Sequence, residues 1–133
     1  MLSEQEWADL MRDLRNPDDA DLALAASERL QQTSGLGDVS RLRELLKDES
    51  VFIRAAAAWP LSELLGPSGL PELFEAYQRG IDEGQDNDGF TAALVEMVEA
   101  DPEGMHLALE TLSRSSNPSY KENAEWLRAF CAE

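Results

Sequence analysis

Cationic side chains are scarce in this sequence: 133 residues carry 11 Lys and Arg against 27 Asp and Glu, a formal net charge of −16. That balance argues against DNA or RNA as a partner, because nucleic-acid binders use Lys and Arg to displace phosphate counterions. Histidine and cysteine are scarcer still, with His106 and Cys131 each alone of their kind. No disulfide can form within the chain, and a zinc site would have to be assembled from carboxylates. A Cys–His nucleophilic pair would lack an evident third group to orient it. No apolar run is long enough to span a membrane, and the short Val and Ile runs of a strand protein are absent. The first residues, Ser3-Glu4-Gln5-Glu6, read as a helix capping box instead of the basic and apolar regions of a secretory signal. These absences point to a soluble, cytoplasmic, all-α protein of one domain, residues 1–133, with no cofactor, no metal and no catalytic residues.

What is present is a recurring pattern of apolar residues at spacings of three and four. Leu42, Leu45, the break Lys47 to Ser50, then Ile53, Ala57 and Leu61 repeat an earlier set in register: Met11, Leu14, the break Asn16 to Asp19, then Leu22, Ala26 and Leu30. A third unit fits with a longer break: Leu73 and Ala76, Gly80 to Gly89, then Ala93 and Met97. A fourth follows as Met105, Leu109 and Leu112, Ser115 to Ser119, then Tyr120, Ala124 and Leu127, drifting by a residue. Each unit is a pair of helices that buries its apolar face only against its neighbours. The spacing predicts helices over 3–15, 18–32, 38–47, 50–65, 70–80, 88–100, 102–114 and 118–131. Asn16-Pro17, Asp101-Pro102 and Asn117-Pro118 are expected to start helices, each with a capping acceptor before a first-turn proline. Pro60 falls inside the fourth helix, where it removes a donor at a cost of roughly 3 kcal/mol if uncompensated, and a kink is expected there.

Ile53-Arg54-Ala55-Ala56-Ala57, with Leu61 following, resembles the second-helix core of the HEAT-repeat superfamily, including its short bacterial form and its bilin-lyase-type repeats. The resemblance implies a right-handed α-solenoid of about four antiparallel helix pairs, with the second helices lining the concave side. It also implies that Asp48 and Arg54 link successive repeats by hydrogen bonds. The first unit departs from that pattern, with Ala23 at the position that corresponds to Arg54 and no aspartate at the one that corresponds to Asp48.

The acids are unevenly spread. Between Ile81 and Gly104 there are eight carboxylates and no Lys or Arg. The loop Asp82 to Gly89 has carboxylates at two positions of a calcium loop, Asp86 and Asp88, but lacks those at its first and last ligand positions. Asp88 is the expected N-cap of the helix that follows.

A candidate contact surface comes from aromatic placement. With Ile53, Ala57 and Leu61 facing inward, Phe52, Ala55, Trp59 and Glu63 share another face of their helix. In the repeat register Phe52 aligns with Asp21 and Asp88, and Trp59 with Glu28 and Val95. An aromatic pair bordered by acids suits a basic protein partner, with the aromatics supplying contact energy and the acids orientation. Trp7 and Trp126 are expected in the core or at the ends.

The expected function is a non-enzymatic protein-binding module with an acidic concave surface, in its most concrete form an immunity-type inhibitor of a basic toxin or nuclease. The alternatives are an assembly adaptor within a larger complex and, on the resemblance alone, a HEAT-like enzyme of the bilin-lyase or DNA-glycosylase type. The missing basic groove argues against the glycosylase. Purified protein is therefore expected not to bind a random DNA or RNA duplex at physiological salt in a mobility-shift assay, and tight, salt-sensitive binding would contradict this.

Overall fold

The computed structural model describes residues 1–131. Among these, eight α-helices follow one another: α1 (Glu4–Leu14), α2 (Ala20–Thr33), α3 (Val39–Leu45), α4 (Val51–Leu65), α5 (Leu70–Asp82), α6 (Asp88–Ala100), α7 (Pro102–Leu112) and α8 (Pro118–Arg128). Short 3₁₀ turns occupy Leu36–Asp38, Gly66–Gly69 and Ala129–Cys131, and no strand occurs among the described residues. None of the helices is long and apolar enough to cross a membrane.

Local chemistry sets the helix starts, because the first amides of a helix have no partner within it. At α1 the Ser3 hydroxyl accepts from the Glu6 amide at 3.1 Å, and the Glu6 carboxylate accepts from the Ser3 amide at 2.9 Å. Asp101 and Asn117 cap α7 and α8 ahead of their prolines, as expected. Asn16 does not cap α2. Its side chain accepts from the Asp18 amide at 2.9 Å in a local turn, and Asp19 becomes the cap by accepting from Leu22 at 3.0 Å, so α2 begins two residues later than the spacing predicts. Asp38 is fully buried and ties down the N-terminus, its oxygens accepting from the Leu2 amide at 3.1 and 3.2 Å and from Gly35 at 2.9 Å.

Helices α2, α4 and α6 lie side by side with α4 in the middle. They run in the same direction. Phe52 near the start of α4 shares a groove with Ala20 and Ala23 of α2, and Glu63 near its end accepts from Gln31 of α2. A side chain at Gly89, near the start of α6, would touch Ala55 of α4. On the other side α1 packs on α2 and α3 on α4, and Arg43 of α3 pairs with Glu72 of α5 at 2.9 Å.

The fourth unit breaks this order. Tyr120 donates to Glu75 at 2.6 Å, Asn123 donates to Gln78 at 3.2 Å, and Trp126 stacks on Tyr77 with ring centres 5.3 Å apart. These contacts set α8 alongside α5, a first helix, rather than continuing the row after α6. Asp101 alone separates α6 from α7, ending one helix and capping the next. The match of Tyr120, Ala124 and Leu127 to the earlier units is thus one of apolar spacing and not of place.

Apolar residues surround α4 on most sides, and Ile53, Ala57 and Leu61 are buried as expected. α4 continues through the buried Pro60 without interruption. An aspartate in place of Ala57 would put a charge at a fully buried point of the central helix. Ala57→Asp is expected to lower stability by about 3 kcal/mol or more in urea unfolding, and an unchanged midpoint would contradict the packing described.

Candidate protein-binding face

The site is framed by a cation that does not reach the surface. Arg54 projects from the first turns of α4 into the protein, with its side chain 1% exposed. Its guanidinium donates to the main-chain oxygens of Asp48 at 2.8 Å and Glu49 at 3.2 Å, and to the Glu83 carboxylate at 2.8 Å. Glu83 also accepts from Arg79 at 3.0 Å, and Arg79 donates to the main-chain oxygens of Lys47 at 3.0 Å and Asp48 at 3.2 Å. The Asp48 side chain accepts from Arg15 at 2.7 Å and from the Ser50 amide at 2.9 Å. One network therefore joins the end of α1, the turn before α4, and the end of α5. Asp48 is met by Arg15 and Arg54 by Glu83, partners that the sequence pattern did not single out because they lie 33 and 29 residues away.

With Arg54 turned inward, the exposed side of α2, α4 and α6 carries no free cation. Arg29 is the remaining Lys or Arg in these three helices, and it pairs with Asp13 at 3.1 Å. The same helices expose Asp21, Glu28, Glu63, Asp88, Glu96 and Glu99. Between these acids runs an apolar strip. Phe52 is 41% exposed, while Ala55 and Trp59 are half-buried against the core. Leu24 on α2, three residues after Asp21 and four before Glu28, is 55% exposed. Sequence reasoning missed it, since a leucine in an amphipathic helix reads as core.

The predicted site residues are not gathered at one point. Phe52 lines an open groove of about 390 Å³ between the α1–α2 turn and the start of α4, together with Leu14, Arg15, Ala20, Ala23 and Ile53. Glu63 lines a second groove, of about 260 Å³, at the far end of α4 with Pro67, Met97 and Ala100. Trp59 lies between the two. Asp21 and Glu28 flank the strip from α2. Asp88 is the first residue of α6 and not its cap: Asn87 holds the cap position but donates instead to the Tyr77 carbonyl at 2.9 Å. Gly80 permits that approach, because a β-carbon there would collide with the Asn87 side chain.

The acidic loop after α5 is built on main-chain bonds. Gly84, at φ +69°, takes the left-handed conformation that ends the helix, with its amide donating to Ile81 at 3.0 Å and that of Gln85 to Gly80 at 2.9 Å. Asp86 accepts from the Asp88 amide at 2.9 Å. Among the described residues no group of three or more His, Cys, Asp or Glu is placed to hold a metal ion. His106 is exposed on α7, and burial pushes the Cys131 thiol up, away from the reactive thiolate. Trp7 lies under the Arg41 guanidinium at 5.2 Å, and Trp126 is held between Tyr77 and Phe130. No family model, curated protein or solved structure matches this chain.

Arg79 and then Arg54 hold the Glu83 carboxyl below its ordinary value of 4.5, and the hydrogen bond from Arg15 holds Asp48 low against the opposing effect of burial. A carboxyl whose pKa is lower in the folded than in the unfolded chain stabilises the fold at neutral pH, and that contribution is lost as pH falls through 4.5 toward the folded value. Glu83→Gln is expected to be less stable than the parent at neutral pH, with the gap narrowing as acid is added. Urea midpoints measured along a pH series check this, and a gap independent of pH would contradict it.

Proposed function

We propose that this chain is a non-catalytic protein-binding module built as a right-handed solenoid of HEAT-type helix pairs, whose second helices receive a basic protein. One observation carries the reading: α2, α4 and α6 surround an exposed apolar strip with six exposed carboxylates and leave no unpaired cation beside it. Charge of one sign around an apolar centre steers an oppositely charged partner and lets the centre supply contact energy. The ordered pairing of Arg15 with Asp48 and Arg54 with Glu83 supports the repeat reading for the first three units. Small size and strong acidity favour an immunity-type inhibitor that masks a basic toxin or nuclease in the cytoplasm. Burial raises the Cys131 thiol pKa, away from the reactive thiolate, which favours binding over catalysis.

Immobilised protein exposed to a lysate of the native host is expected to retain a basic protein that a doubly charge-reversed face, Asp21→Lys with Glu28→Lys, does not retain. A control reversal on α3, at the exposed Glu44 (Glu44→Lys), should leave capture intact. With that partner in hand, the reversed face should slow association, and the loss should shrink as salt is added. Trp59→Ala should weaken binding by about 2 kcal/mol, chiefly through faster dissociation. Equal capture by both reversed variants, or a partner that is not basic, would contradict the reading.

A further inference from the structure

Within the face read above as protein-binding lies one open groove with largely apolar walls. Phe52 is the most exposed aromatic of α4, and it stands in the open groove whose other apolar walls are Leu14, Ala20, Ala23 and Ile53. The chain residues next to those walls are acidic and exposed: Asp18 and Asp19 in the turn before α2, Asp21 within it, and Glu49 before α4. Arg15 also lines the groove, but Asp48 engages it at 2.7 Å, so it presents no free charge to an incoming cation. About half of its side chain is exposed, which leaves N–H donors for the main-chain carbonyls of an occupant.

We infer that this groove is the docking point for an extended peptide segment in which one large aliphatic or aromatic residue is flanked on both sides by Lys or Arg. The apolar residue lies against Phe52 and the two alanines, the flanking cations reach Asp18, Asp19, Asp21 and Glu49, and Arg15 donates to the segment's carbonyls. The inference rests on the protein-binding reading of the face and adds the chemistry of what binds there. The small side chains of Ala20 and Ala23 are what leave the groove open, while the acids exclude a segment that is apolar throughout or carries carboxylates.

The test uses the full chain and two capped synthetic peptides, Lys-Lys-Leu-Lys-Lys and its Lys-Lys-Ser-Lys-Lys counterpart, titrated at low salt while amide resonances are followed by NMR. The leucine peptide should bind about tenfold more tightly than the serine peptide, as burial of one leucine allows. Its shifts should centre on Ala20, Ala23 and Ile53. Phe52→Ser should abolish the leucine preference and keep the weak, salt-sensitive binding of both peptides. Ala20→Trp, which fills the groove from the opposite wall at an exposed position and keeps Phe52, should do the same. Equal affinities for the two peptides, a preference that survives both substitutions, or shifts centred on Trp59 and Glu63 would overturn the groove while leaving the acidic face standing. Failure of both peptides to bind would overturn the groove and the acidic face together.

Discussion

The inward turn of Arg54 is the constraint on which the rest of the structure depends. An arginine buried this completely is tolerated only where fixed acceptors replace water, and here they are two main-chain oxygens of the turn before α4 and one carboxylate from the end of α5. Three elements must be in place together for that set to exist. The guanidinium's planar fork suits the task, since one nitrogen serves the turn and another serves Glu83, where a lysine would offer a single point of charge. Arg79 braces the same carboxylate and the same turn from α5, and Arg15 braces Asp48 from α1.

The surface follows from that arrangement. α4 has one cation in fifteen residues, and by burying it the protein leaves the helix with an outer side of Phe52, Ala55, Trp59 and Glu63. The neighbouring helices contribute carboxylates and one arginine already committed to Asp13. Most other cations lie outside these three helices, and Arg12, Arg15, Arg41, Arg43 and Arg79 pair with acids or brace main-chain oxygens. The cations of the chain are thus largely engaged within the fold, while α2, α4 and α6 expose six carboxylates.

Much of the helical layout was legible from spacing and capping chemistry. Ser3, Asp101 and Asn117 cap where their neighbours in sequence predict, and Ile53, Ala57 and Leu61 are buried because their spacing matches the helix period. Asp48 and Arg54 could be singled out from the resemblance of their segment, but their partners could not, as contacts across some thirty residues depend on how units stack and not on any local pattern. The same limit explains α8. Apolar spacing registers which side of a helix is buried and is silent on which helix buries it, so the placement of α8 against α5 emerges only from contacts such as the Tyr77–Trp126 stack. The exposure of Asp21, Glu28, Glu63 and Phe52 was legible from helix spacing. Trp59 proves more enclosed than Phe52, and Leu24 more exposed than leucines in such helices usually are.

Buried Arg54 ties the turn before α4 to the end of α5, and Arg54→Met probes that tie, since methionine keeps much of the packing volume while removing every hydrogen bond of the guanidinium. The variant is expected to lose about 2 kcal/mol in urea unfolding, the size of a hydrogen bond to a charged group. A variant as stable as the parent would contradict it, and would mean that apolar packing around α4 holds the units together without the network.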